Sequence, residues 1–264
     1  HYPTYMALSF HNKNRLKDVS IRWYQSGTYP LQSLNYTYNE LISAEKDALI
    51  FTDANWTLFA SYLLQYGKGL FNDKKVIFSA LMLTPFSMNE LTEELGIPEF
   101  KDADPEFYKS KTPTMTFANE MKKRIEHIAK YTKRPIYISV STNEAVKNLL
   151  KDHLYGEGLL MRYSSKPYDN LAVMRRNFEN TYLLDYLYET FYPETLTDVC
   201  LDLKGVKMLS IYYVPAFKSL LQFYKESGDV THYDKLYSLL ESIVKKADYY
   251  SDEVRERYLK SINF

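Results

Sequence analysis

Four short, almost wholly apolar runs constrain this chain more than any other feature. They are Ala48-Leu-Ile-Phe51, Lys75-Val-Ile-Phe-Ser-Ala-Leu-Met-Leu83, Pro135-Ile-Tyr-Ile-Ser-Val140 and Gly158-Leu-Leu-Met-Arg-Tyr163. Runs of this length and composition read as strands buried on both faces. Between them lie stretches with apolar residues at helical spacing. Leu34, Tyr38, Leu41 and Ile42 mark one from Leu31 to Ala44, and Leu58 to Tyr66 is a second, closed by Gly67-Lys-Gly69. Met121, Ile125 and Ile128 mark a basic helix from Asn119 to Tyr131, and Glu144 to Leu154 forms another. Ser87 with Glu90 fits a capping box for a helix ending at Leu95, with Gly96 and Pro98 as its stop. Residues 98–113, with three prolines, read as a surface excursion. The alternation predicts an α/β fold: a mainly parallel, open sheet of about four strands with helices on both faces.

After Pro167 the pattern is helical alone. Met174, Phe178, Leu184, Leu187 and Phe191 predict one long helix stopped by Pro193. Val214, Phe217, Leu220, Leu221 and Tyr224 predict another, ending at Gly228-Asp229. Leu236, Leu239, Leu240, Ile243 and Val244 predict a third, and Ser251 to Ile262 a short fourth. The hairpin at Gly228-Asp229 resembles a tetratricopeptide unit through Phe217, Leu220, Tyr224, Gly228 and Asp229. Bulky Leu221, Tyr233 and Leu240 stand where that repeat keeps small residues, and one hairpin is too few for a solenoid. The expected organisation is an irregular N-terminal strap over 1–30, with Val19–Tyr24 as a short strand, an α/β domain over 31–168 and a helical C-terminal region over 169–264.

Composition narrows the functional classes. Thirty-three basic and 33 acidic side chains give no net charge, which argues against nucleic-acid binding. No apolar run approaches the roughly 20 residues of a spanning helix. Cys200 is the single cysteine, so no internal disulfide framework exists, and with no His or Lys beside it an inert thiol is expected. His1, His11, His127, His153 and His232 show no metal-ligand spacing, so no metal is expected. No cofactor is expected either: there is no nucleophile elbow, phosphate loop or dinucleotide fingerprint, and Gly156-Glu-Gly158 precedes a strand instead of following one. The 26 tyrosines are spread along the whole chain, which suits amphipathic packing better than one binding platform. Lys122, Lys123, Arg124, Lys130, Lys133 and Arg134 form the most basic stretch, read either as a solvated helix face or as a contact for anionic lipid.

Candidate ligand residues follow from the sheet. Open parallel sheets bind ligands beyond the carboxyl ends of their strands. Asp53, Asn55 and Trp56 follow the first run, and Ser141 and Asn143 follow the third. Trp56 would stack on a sugar ring while Asp53 and Asn55 hydrogen-bond its hydroxyls. The competing reading makes Trp56 a core residue and the polar side chains helix caps, and the lack of a glycine-rich approach favours it. No catalytic residue is assigned.

Four segments in order carry a family resemblance. They are Ala48-Leu-Ile-Phe-Thr52 through Gln65, Lys75-Val-Ile-Phe78 to Leu83, Arg134-Pro-Ile-Tyr-Ile138 and Tyr155-Gly-Glu-Gly-Leu-Leu-Met-Arg162, followed by the Gly-Asp hairpin. Over residues 31–264 this order resembles the soluble C-terminal region of bacterial multi-pass membrane proteins that look like protein O-mannosyltransferases. The loop after the first strand departs from that family, keeping Asp53 but no glycine. The resemblance implies a non-catalytic extracytoplasmic domain on the periplasmic face of the inner membrane. Its partners would be its own membrane-spanning region and a protein or glycan acceptor, with glycosyl transfer in the membrane part. The start at His1, with no apolar signal segment, fits a piece of a longer polypeptide. Two alternatives stand beside this reading: a free-standing α/β enzyme acting on a sugar or nucleotide with Asp53 in its site, and a helical adaptor using residues 205–264.

Overall fold

The computed structural model describes residues 2, 12–101, 113–188, 208–247 and 251–262. His1, Pro3, His11, most of the Pro-rich excursion, Phe191, Pro193 and Cys200 lie outside the described residues.

The N-terminal strap is not irregular. Lys13–Ser26 is a helix, α1, capped by the Asn12 side chain on the Arg15 amide and ended by Gly27 at φ 66°. Leu16, Val19, Ser20 and Trp23 recur every three or four residues and are its buried side, which overrides the strand expected at Val19–Tyr24. Pro30 precedes α2, Leu31–Ser43. Strand β1, Leu49–Thr52, leads to α3, Asn55–Tyr62, which continues as a π-helical turn over Leu63–Gly67.

Strand β2 is only Lys75–Phe78, because β1 offers four residues for pairing. Ser79–Met82 then turns into a short helix, α4, with the Ser79 hydroxyl donating to the Thr52 carbonyl. Helix α5, Pro85–Leu95, is capped by Thr84 with Pro85 in its first turn, so Ser87 is not the cap expected from its spacing to Glu90. Helix α6 spans Pro113–Tyr131 and β3 spans Ile136–Ser139. Helix α7, Glu144–Leu150, is shorter than its apolar pattern suggested. One 3₁₀ turn follows it, and Leu154 opens strand β4, Leu154–Gly156. Strand β5 is Leu160–Tyr163.

The five strands form one open mixed sheet in the order β2-β1-β3-β5-β4. β1 pairs parallel with β2 and β3, matching Ile50 to Val76 and to Tyr137. β5 is antiparallel to both its neighbours, correcting the expectation of a fourth parallel strand. The cause is local: Glu157–Leu159 joins β4 to β5, and so tight a connection can join only antiparallel strands. Gly158 sits there at φ 125°, and a Cβ on it would collide with the Tyr182 hydroxyl.

Side-chain alternation places the two faces. Leu49, Phe51, Ile77, Ile136 and Ile138 pack on α5, α6 and α7 through residues such as Met88, Met121, Ile125 and Val146. Ile50, Val76, Tyr137 and Leu160 face Leu41 of α2 and Leu58 of α3. Helices therefore cover both faces.

The long helix expected over 174–191 is broken. Helix α8, Asn170–Arg176, runs into a π-helical turn, Asn177–Thr181, and Tyr182 is extended before a 3₁₀ turn at Asp185–Tyr188. Asn39 of α2 holds that break, donating to the Leu183 carbonyl and accepting from its amide, both at 2.8 Å. A 3₁₀ turn, Leu209–Tyr213, leads into α9, Val214–Ser227. Gly228 at φ 73° and the Asp229 cap turn the chain into α10, Val230–Lys246, and α11 is Asp252–Ile262. Leu221 and Leu240 are wholly buried in this hairpin. The helical region shares one apolar cluster with Tyr36 of α2 and with Leu159, Val140 and Trp56 near the strand ends.

Candidate functional site

β1 is flanked by β2 on one side and β3 on the other, so the chain leaves the carboxyl ends of β1 and β3 in opposite directions. That divergence defines the place where an open α/β sheet takes a ligand. The groups found there mostly bond to one another. The Asn143 amide donates to Asp53 Oδ2 at 2.7 Å, and Asn143 Oδ1 accepts from the Ala145 amide at 2.8 Å, capping α7. Asp53 thus braces the start of α7 and not that of α3, whose cap residue, Ala54, has no side chain to offer. Thr52 Oγ1 accepts from the Ala54 amide at 3.1 Å and lies 3.4 Å from Ser141 Oγ. Asn55 is exposed. Trp56 is half-buried against the helical region, and its carbonyl accepts from the Tyr29 hydroxyl. Asp53, Ser141 and Asn143 are therefore brought together, whereas Asn55 points to solvent and Trp56 packs.

Behind this loop pair lies a residue that sequence reasoning passed over. Glu40, on α2, is fully buried. Ser139 Oγ, at the end of β3, donates to Glu40 Oε1 at 2.5 Å and lies 2.8 Å from Ser141 Oγ. A chain of hydroxyls thus runs from the buried carboxyl to the strand ends. Burial pushes the Glu40 pKa up to about 8, with Ser139 and Tyr36 partly offsetting the effect. At neutral pH the group is therefore a protonated acid.

Around Glu40, polar groups are left without partners. On α2 these are Ser33 Oγ, Tyr36 OH, Thr37 Oγ1 and Glu40 Oε2. At the β1–α3 junction they are Asp53 Oδ1, Trp56 Nε1 and Thr57 Oγ1. Tyr36 comes near enough to influence Glu40, yet neither Tyr36 OH nor Glu40 Oε2 completes a hydrogen bond. Leaving such a group unmade costs roughly 1–3 kcal/mol. The sequence carried one weak signal for this: α2 has a single charged side chain, Glu40, in a segment whose Ser33, Tyr36, Thr37 and Glu40 share a face.

Other polar clusters are internally satisfied. Arg124 is buried, bonded to Glu120 and to the Met82 carbonyl and stacked on Phe100. Lys123 also pairs with Glu120, Lys122 with Glu126, and Arg134 donates to the Asp47 carbonyl. The basic stretch is thus largely tied to the protein's own groups. Glu157 accepts from Tyr168, and Arg162 pairs with Glu45 and lies over the Tyr168 ring. His127 contacts the Pro98 carbonyl and His232 contacts Asp229. Among the described residues no group of three or more His, Cys, Asp or Glu is placed to hold a metal. No helix among them is long and apolar enough to cross a membrane.

By class, the chain is a mixed α/β protein with a helical C-terminal region lodged at the carboxyl ends of its parallel strands. No family model, curated protein or solved structure matches it.

Proposed function

We propose that this chain is a non-catalytic, extracytoplasmic domain of a membrane glycosyltransferase-like protein. It docks against its own membrane-spanning region and presents a surface to an acceptor protein or glycan on the periplasmic side. The observation that supports a structural role for the expected site is the Asp53–Asn143 bond. It commits the loop's carboxylate to bracing α7, and the helical region packs against Trp56 beside it. The four resembling segments take in β1 and β2 whole and most of β3, β4 and β5, and the helical hairpin follows them in the same order. Incubating the purified chain with lipid-linked and nucleotide sugars and an acceptor peptide tests the reading. The expected result is no transfer, and turnover abolished by Asp53→Ala would contradict it.

One observation favours a second reading, an α/β enzyme acting on a sugar or nucleotide. Glu40 is a buried acid whose pKa is pushed up to about 8, connected by Ser139 and Ser141 to the switch point of the sheet. Perturbed acids at such positions are candidates for proton transfer. Turnover lost in Glu40→Gln and retained in Asp53→Ala would favour that reading.

A further inference from the structure

The helical region grips the sheet at the β4–β5 turn. Four side chains from residues 168–182 bond to that one turn. Asn170 Nδ2 donates to the Gly156 carbonyl at 2.7 Å, and Asn177 Nδ2 donates to the Glu157 carbonyl at 2.8 Å. The Leu159 amide donates to the Tyr182 hydroxyl at 3.0 Å, and the Tyr168 hydroxyl donates to Glu157 Oε1. Asn177 opens the π-helical turn after α8, and Arg176 donates to its Oδ1, leaving its amide nitrogen for the sheet. Such turns recur where a helix is bent to a particular task.

One of these contacts changes with pH. Glu157 is buried, and among the described residues its side chain accepts a single hydrogen bond, from Tyr168. A carboxylate has roughly four acceptor sites, and a buried one needs several donors to offset its lost hydration. The charges that face it partly cancel. Arg162 of β5 and Arg176 of α8 favour the anion, whereas Glu45, before β1, opposes it and is itself paired with Arg162. Tyr137 of β3 and Tyr182 also face it, and burial raises both phenols, so they stay neutral. Burial therefore outweighs the Tyr168 bond and holds the Glu157 carboxyl above the usual carboxylate range.

We propose that the β4–β5 turn is a proton-operated clasp: neutral Glu157 keeps the helical region closed over the strand ends, and its ionisation loosens that hold. Opening returns Glu157 to water, where it gives up its proton at a lower pH than in the closed form. The closed form is therefore most favoured below the ordinary carboxylate value and loses ground as pH rises from there to the raised one. Opening uncovers the switch point of the sheet, because Val140 and Trp56, just beyond β3 and β1, pack against the helical cluster. The clasp works within the chain and needs no membrane partner.

Amide hydrogen exchange of the full chain at pH 5, 6 and 7, corrected for intrinsic rates, measures the opening. The Leu159 amide and those of α9 should lose protection as pH rises, by up to about tenfold per pH unit, the slope for one proton released. The β1 and β3 amides should lose less. Glu157→Gln stays neutral and still accepts from Tyr168, so its Leu159 protection should vary less with pH. Glu40 titrates in both proteins, so the difference between them belongs to Glu157. Tyr168→Phe removes the one donor and should lose more protection over the same range. Wild-type Leu159 protection that is flat from pH 5 to 7 overturns the proposal, whether or not the variants fold. So does an equal pH dependence in Glu157→Gln, or an equal loss across β1 and β3, which would mean unfolding of the whole chain. If Glu157→Gln does not fold, carbon-13 titration of the wild-type carboxyl decides. Glu157 must then titrate above the usual carboxylate range, and a value within that range contradicts the clasp. Each failure leaves the docking role of the domain standing.

Discussion

Glu40 gives the sharpest consequence at the scale of a single residue. Its folded pKa, about 8, lies well above the ordinary carboxylate value, with desolvation as the main cause. Between those two values the unfolded chain has lost the proton that the folded chain retains, so rising pH favours unfolding. The penalty grows by up to about 1.4 kcal/mol for each pH unit until the folded group itself ionises. Glu40→Gln removes the titration while keeping a partner for Ser139. Denaturant unfolding of both proteins at pH 5, 6.5 and 8 should show the wild type losing stability relative to the variant as pH rises. A difference that stays constant across that range would mean that Glu40 is not the buried acid described.

At the scale of elements, α7 depends on two side chains from different parts of the sheet. Asn143 caps it from within, and Asp53 holds the cap residue's own amide from the end of β1. Asn143→Ala should cost about 1 kcal/mol in urea unfolding, the usual worth of a cap. Because Asp53→Ala acts on the same helix end, the double variant should lose measurably less than the two single losses added together. Strict additivity would deny the link. The elements also show what the sequence made legible. The three parallel strands were readable because Leu49–Thr52, Lys75–Phe78 and Ile136–Ser139 are short apolar runs covered on both faces. The direction of β5 was not, since the hairpin that reverses it rests on Gly158 and a three-residue strand too short to carry a pattern. Helix α1 was masked by prolines around it, although its buried side recurs at helical spacing. Within the site, Asp53, Ser141 and Asn143 were placed together by a rule about strand ends. Glu40 escaped because its burial is imposed by the helical region and by β3, both distant in sequence.

At the scale of the whole molecule, the helical region is fastened to the sheet by a small number of polar contacts over an apolar cluster. Asn39 bonds both polar groups of the Leu183 backbone and donates to the Tyr213 hydroxyl, and Tyr182 accepts from the Leu159 amide. Asn39→Leu should therefore raise amide hydrogen exchange across 182–188 and 209–224 more than in β1 or β3. Uniform acceleration through the sheet would show instead that the two parts open as one unit. The central claim, that this domain belongs to a membrane glycosyltransferase-like protein, concerns the polypeptide in its cell. Antibodies raised against the purified chain can establish the mass and membrane partition of the native protein. The account predicts a band far larger than 31.2 kDa that stays with membranes through salt and alkaline washing and is released by detergent. A native protein close to 31.2 kDa that leaves the membranes without detergent would contradict it.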